Sequence, residues 1–196
     1  MEKGTQTKSH CLRVVLYGPE STGKTTLAKA LSDYYDTPWV EEFARPYLQE
    51  KWDKEKAVCT LDDLPIIAKG QLAAENAAME QAKQLIICDT NILVTKVWSE
   101  THFEGYCAPE LNAILEQTHY DLYLLTATDV PWEKDDLRDR PNNREEMFAY
   151  FKMQLDEFDF PYLILTGDPQ QRLSKAVHAI DELVAKKKNR LGDMGE

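Results

Sequence analysis

The chain has 196 residues, of which 34 are Asp or Glu and 23 are Lys or Arg, giving a formal charge of −11. That length suits one domain with its own hydrophobic core; the 43% apolar share excludes disorder of the whole chain, and the acidic balance argues against an extended nucleic-acid interface, which needs a basic surface. No apolar run approaches the ~20 residues that span a bilayer, and the polar start Met1-Glu2-Lys3-Gly4-Thr5 has no apolar signal segment, so a cytoplasmic location without membrane contact is expected.

Residues 1–10 and 188–196 read as polar tails around a single domain over 11–187. Cys11-Leu12-Arg13-Val14-Val15-Leu16-Tyr17 is short, β-branched and closed by Gly18-Pro19, which predicts a buried strand. Leu27, Ala28, Leu31 and Tyr35 then share one face of a helix over 23–35. Residues 37–41 form a second, brief strand, and a helix covers 44–51. Thr60-Leu61-Asp62-Asp63 has the spacing of a capping box and opens a long helix to about Gln84. Leu85-Ile86-Ile87-Cys88-Asp89 is a third buried strand ending on a carboxylate. Helices over 91–99 and 109–117 precede a fourth strand at 120–125. A polar segment, about 130–144, leads into a helix over 143–157, a fifth strand at 162–165 and a closing helix over 169–187. Strands alternating with helices predict an α/β fold, a five-stranded parallel sheet with helices on both faces. Cys11, Cys59, Cys88 and Cys107 are widely spaced and read as free thiols of a reducing compartment, with Cys11 and Cys88 inside buried strands.

Between the first strand and helix, Gly18-Pro19-Glu20-Ser21-Thr22-Gly23-Lys24-Thr25 matches the phosphate-loop pattern G-x-x-x-x-G-K-[ST] in full and in the right context. The residue types follow from the task. Glycines permit the backbone to turn successive N–H groups inward as a nest for phosphate oxygens, and the next helix aims its positive end at the same point. Lys24 neutralises phosphate charge, and the Thr25 hydroxyl is a hard oxygen ligand for Mg²⁺. The loop from Gly18 through Glu20, Ser21, Thr22, Gly23, Lys24 and Thr25 to Thr26 is therefore the expected ATP site.

Three classes share this loop. No Asn-Lys-x-Asp is present to read guanine, and Asp89 is followed by Thr90 rather than the Glu that activates water in motor ATPases. Transfer to an organic acceptor is favoured. The 130–144 segment carries Arg138, Arg140 and Arg144, the composition of a lid that brings arginines to a transferring phosphate.

Gly18–Thr26, Glu42-Phe43-Ala44-Arg45, Asp89-Thr90, and Asp129-Val130-Pro131-Trp132-Glu133 through Arg138 together resemble the ribosylnicotinamide kinase domain of the NadR proteins, from about residue 11 to residue 185. The resemblance implies a three-layer P-loop kinase fold with strand order 2-3-1-4-5. It also implies ATP-dependent phosphorylation of nicotinamide riboside to nicotinamide mononucleotide, a step of NAD salvage, with Mg²⁺ as cofactor. No His-x-Gly-His is present, so the resemblance is to the kinase domain alone. Two positions depart from the family pattern: Asn91 where Asp is frequent, and Asp136 where Gly is frequent. Another nucleoside or small-molecule kinase, or a nucleotide-sensing regulatory ATPase module, remain the alternatives.

On this reading Lys24, Asp89, Glu42 and Arg138 are the catalytic candidates. Asp89 supports the metal with Thr25 or takes the acceptor proton, and Glu42 orients or deprotonates the ribose 5′-hydroxyl, with Glu41 as the alternate. Arg140 and Arg144 join the ATP site. Glu42, Arg45, Tyr47, Asp89, Asn91, Trp132 and Asp135 are the acceptor-site candidates. A cationic pyridinium suits an aromatic face, for which Trp39, Tyr47, Trp98 and Trp132 are available, and Asp63 and Gln71 lie on the long helix beside that site. The small-molecule partners are ATP and a nucleoside-like substrate.

Overall fold

The computed structural model describes residues 5–138 and 142–192. Five strands, β1 (Leu12–Tyr17), β2 (Trp39–Val40), β3 (Leu85–Asp89), β4 (Leu122–Thr126) and β5 (Tyr162–Leu165), form one sheet in the order β2-β3-β1-β4-β5. Every pairing is parallel, with Leu16 beside Asp89 on one flank and Leu124 on the other. This is the expected order. The central strand β1 is buried along its whole length, as a strand covered on both faces must be.

Alternation within β1 divides the core. Leu12, Val14 and Leu16 pack with Leu27, Ala28 and Leu31 of α1 (Lys24–Tyr35) and with Ala176 and Ile180 of α7 (Pro169–Gly192). Val15 and Tyr17 face the other way. They meet side chains of α3 (Asp63–Gln81), α4 (Ile92–His102), α5 (Pro109–Glu116) and α6 (Arg144–Glu157). The result is three layers. The remaining helix, α2 (Ala44–Glu55), buries no residue completely and lies against α3. Among the described residues no helix is long and apolar enough to cross a membrane.

Boundaries shift where packing overrides local pattern. The strand expected at 120–125 is Leu122–Thr126: the Asp121 N–H still donates to the Arg13 carbonyl at 2.9 Å, but the Arg13 N–H goes to the Asp121 carboxylate at 2.7 Å rather than to a backbone carbonyl. The long helix stops at Gln81 rather than Gln84, while α2 runs on to Glu55 and α7 to Gly192. The capping box works in one direction only. The Asp63 carboxylate accepts the Thr60 N–H at 2.7 Å, but the Thr60 hydroxyl donates back to that same carboxylate. All four cysteines are free thiols. Cys88 is buried, but Cys11 is half-buried, because the ladder starts one residue later at Leu12.

One carboxylate is buried remote from the phosphate loop. Glu75 on α3 is fully covered and accepts the Tyr120 hydroxyl, 2.9 Å from Oε2, with Arg13 in electrostatic reach. Burial raises its pKa from 4.5 to about 7, against the opposing pull of Tyr120 and Arg13. A carboxyl that is harder to ionise in the folded chain holds its proton there, so folding stability falls as pH rises from the ordinary glutamate range to about 7. The displacement is equivalent to roughly 3 kcal/mol. Glu75→Gln keeps the acceptor for Tyr120 without the charge. It is expected to melt several degrees above the parent at pH 8 and together with it at pH 4, in thermal scans at both pH values. Equal melting at pH 8 would show that Glu75 ionises there without cost.

Candidate active site

The phosphate loop joins β1 to α1 at the carboxyl edge of the sheet, where open α/β sheets bind ligands. Gly18 is irreplaceable on two counts. Its φ is +132°, and an added Cβ would lie 2.9 Å from the Thr126 carbonyl and hydroxyl oxygens. Ser21 also has positive φ (54°), which points to a loop held by its surroundings rather than by its own preference. Those surroundings are explicit. The Thr22 hydroxyl donates to the Pro19 carbonyl at 2.8 Å and meets the Thr126 hydroxyl at 2.7 Å.

Lys24 folds back over the loop and donates to the carbonyls of Gly18 (3.0 Å) and Pro19 (2.6 Å). Burial lowers its pKa, and the neighbouring carboxylates of Glu42, Asp89 and Glu20 oppose this. At the next residue, the Thr25 hydroxyl donates to Asp89 Oδ2 at 2.5 Å. Asp89 is 1% exposed. Its other oxygen, Oδ1, is buried and receives no hydrogen bond among the described residues. Burial raises the Asp89 pKa against the Thr25 hydrogen bond and the charge of Lys24. A serine-type hydroxyl beside a carboxylate with an open oxygen, at the mouth of a phosphate nest, is a donor set of the kind Mg²⁺ takes.

A cleft of about 520 Å³ runs from this loop toward α3 and α4. It is lined by the whole expected loop (Gly18, Glu20, Ser21, Thr22, Gly23, Lys24, Thr25 and Thr26) and by Glu42, Arg45, Arg138 and Arg144. Leu64, Ile67, Val94, Met147 and Phe151 supply its apolar wall. Trp98 also faces the cleft, stacked parallel on His102 with centroids 3.6 Å apart. Glu42 is half-buried and its pKa is raised, first by burial and then by the Asp89 charge, against Lys24, Arg45 and Arg138. Glu41 is exposed and does not line this cleft, so Glu42 is the carboxylate of the pair that faces it.

Why Glu42 points inward is settled by its neighbours. The Phe43 N–H donates to the buried Gln71 side chain at 2.9 Å, and the Phe43 ring sits over Gly70, where a Cβ would lie 2.4 Å from ring carbons. Thr90, at φ +70°, follows Asp89 and turns the chain out of β3.

Several acceptor-site candidates lie elsewhere. Asn91 is buried and donates to the Tyr123 hydroxyl at 3.1 Å, inside the core rather than in the cleft. The Tyr47 hydroxyl donates to Asp63 at 2.8 Å, as does Lys51 at 2.6 Å. Burial alone would raise the Asp63 pKa, but these bonds and those from Thr60 bring it down to about 2. That cluster is a clamp between α2 and α3. Trp132 donates to Glu20 at 3.3 Å and packs on the loop's flank, and Trp39 lies under Lys29. Asp135 binds Arg45 and Arg138 rather than lining the cleft. Arg144 donates to the carbonyls of Val130 (2.8 Å) and Ser21 (3.1 Å). Arg140 lies outside the described residues.

Arg172, from α7, was not visible as a site residue. It is 3% exposed. It donates to the carbonyls of Thr22 (2.6 Å), Gly167 (2.9 Å) and Ala127 (3.0 Å), and pairs with Asp129. One guanidinium thus ties the phosphate loop to the exits of β4 and β5, a task that suits its fixed fork of donors. Its only sequence signal was an Arg in the first turn of a helix, where a cation is unfavourable unless engaged.

The AAA domain family matches residues 13–172, most of the chain. The chain belongs to that family. The chain is 24% identical over 188 residues to the trifunctional NAD biosynthesis/regulator protein NadR of Escherichia coli (strain K12), covering 94% of this chain and 46% of that protein. Against NadR of Salmonella typhimurium it is 27% identical over 135 residues. The chain thus spans less than half the length of these curated relatives. A crystal structure of NadR in complex with NR superposes with TM-score 0.77 at 24% identity, over 90% of this chain and 52% of that one. For this AAA-domain chain these structural likenesses carry the fold.

Proposed function

We propose that the chain is an ATP-dependent kinase that phosphorylates nicotinamide riboside to nicotinamide mononucleotide. One observation carries the reading. A single cleft joins a complete phosphate loop to an inward-facing acceptor carboxylate, Glu42, flanked by Arg45 and Arg138, in a chain similar over 94% of its length to NadR.

The chemistry follows from charge. In-line transfer spreads negative charge over the equatorial oxygens of the γ-phosphoryl group. Lys24, the loop N–H groups and Arg138 meet that charge in a preorganised site. Thr25 and Asp89 are the residues that would hold Mg²⁺, which supplies charge neutralisation between the phosphates when bound. Glu42 accepts the proton of the attacking hydroxyl, and its burial-raised pKa makes it a better base than an exposed glutamate. An acidic cleft also suits a cationic acceptor: Glu42 and Asp89 offset the pyridinium, while the anionic phosphates are held locally by Lys24 and the arginines. Glu42 rather than Asp89 is assigned as the base because Asp89 accepts from Thr25 and is the carboxylate that would hold Mg²⁺.

The test is ADP release over a panel of nucleosides. Nicotinamide riboside is expected to give the highest kcat/KM, with adenosine, deoxyadenosine, thymidine and uridine at least about a hundredfold lower, the discrimination available when buried polar groups lose their partners. Preference for another nucleoside would reassign the acceptor, and hydrolysis unaffected by any acceptor would favour a nucleotide-sensing module. The seat of Glu42 gives a second check. Gly→Ala in a helix ordinarily stabilises by about 1 kcal/mol. Gly70→Ala is instead expected to displace Phe43 and cut acceptor kcat/KM about tenfold, with the KM for ATP changed less than about twofold, in steady-state kinetics.

A further inference from the structure

Asp135 sits between the two sides of the cleft without lining it. Its Oδ1 accepts the N–H groups of Leu137 and Arg138, both at 3.0 Å. Its Oδ2 accepts Arg45 Nη1 at 2.9 Å and pairs with Arg138 Nε at 3.1 Å. One carboxylate therefore shapes the turn that carries Arg138, pairs with that guanidinium by charge while Arg138 Nη1 donates to the Glu133 carbonyl at 2.5 Å, and fastens the turn to Arg45. Burial would raise the Asp135 pKa, but these donors hold it below the ordinary range, so the group is ionised at neutral pH.

The two arginines face different parts of the reaction. Arg138 lines the cleft within electrostatic reach of Lys24 and Glu42. Arg45 lines it on the acceptor side, with Nε 3.9 Å from Glu42 and its charge felt by Asp89. An acceptor that hydrogen-bonds Glu42 changes the balance of charge on Arg45, and Arg45 shares its other partner with Arg138.

We propose that Asp135 is a positioning residue that makes the placement of Arg138 at the transferring phosphate depend on Arg45, and so on an acceptor being bound beside Glu42. This rests on the kinase reading above. In productive turnover the acceptor hydroxyl oxygen forms the new bond to the γ-phosphorus, the bond to the β,γ-bridging oxygen breaks, ADP leaves, and the hydroxyl proton passes to Glu42. In the futile reaction water takes the place of the hydroxyl. A contact that tightens the placement of Arg138 when the acceptor is bound favours the first course over the second.

The experiment measures ADP release with and without acceptor, using the best nucleoside of the panel, for the parent, Asp135→Asn, Arg45→Met and the double variant. Asp135→Asn is expected to lower kcat with acceptor about tenfold, leave the KM for ATP within about twofold, and bring the acceptor-stimulation ratio down about tenfold. Arg45→Met reaches the same contact from a half-exposed side chain, so it reads the coupling even if Asp135→Asn folds poorly. The double variant should lose little more than the worse single variant, because the two act through one contact. If the stimulation ratio of Asp135→Asn matches the parent, or if the two effects multiply independently, the coupling is overturned while the kinase reading stands. A parent that no nucleoside stimulates overturns both.

Discussion

Lys24→Ala is expected to reduce phosphoryl transfer about a thousandfold or more, the order lost when a preorganised charge aimed at the transition state is removed. The fold should survive. Lys24 is held in the loop by two backbone carbonyls and carries a burial penalty, visible in its lowered pKa. The loop itself is braced by Thr22, Thr126 and Arg172, none of which needs the lysine. Turnover in the coupled assay should therefore collapse, while the melting temperature moves by no more than about 4 °C. A variant with near-normal turnover would remove the phosphate loop from the reaction. A variant that melts far below the parent would instead make Lys24 a structural tie.

Asp89→Asn is expected to separate activity from stability in opposite directions. The carboxylate is buried, its Oδ1 has no hydrogen bond among the described residues, and burial raises its pKa. Because the folded-state pKa lies above the unfolded one, ionisation destabilises the fold: stability present at acid pH is lost as pH rises through and beyond the ordinary aspartate range. Asparagine keeps an acceptor for Thr25 and removes the charge. At pH 8 the variant should melt at or above the parent. It should lose about a hundredfold or more in kcat and need more magnesium for half-maximal rate, because the hard anionic oxygen beside Thr25 is gone. Magnesium titrations of activity and thermal scans at pH 8 check both halves. A loss of stability without a change in magnesium requirement would assign Asp89 to architecture alone.

Both effects concern groups that pattern alone brought forward. A loop of two glycines, a lysine and a threonine between a strand and a helix has few physical alternatives, so Lys24 and Thr25 were legible before any contact was known. Asp89 was legible as the last residue of an apolar run. The acceptor side was legible only in part. Glu42 and Arg45 reach the cleft as expected, but Tyr47, Asn91 and Trp132 do not. Each is a residue whose polar atom finds a nearer partner: Asp63, Tyr123 and Glu20. Burial rewards any partner that satisfies the group, and sequence spacing does not reveal which partner will be close. Asp135 shows the same limit in another form. Its position in the arginine-rich segment marked it as functional, yet its two arginine partners, one of them 90 residues away in Arg45, make it a clasp.

By itself, then, the sequence determined the α/β class, the phosphate loop and the carboxylate at the end of β3, because these depend on residues close along the chain and on hydrophobic periodicity. The tertiary structure alone decided which side chains face the cleft. Gly70 leaves room for Phe43, and Phe43 and Gln71 turn Glu42 inward while Glu41 stays in solvent. Arg172, 150 residues from Thr22, braces the phosphate loop from the last helix. These contacts join segments that only the packing of helices onto both faces of the sheet brings within hydrogen-bond reach.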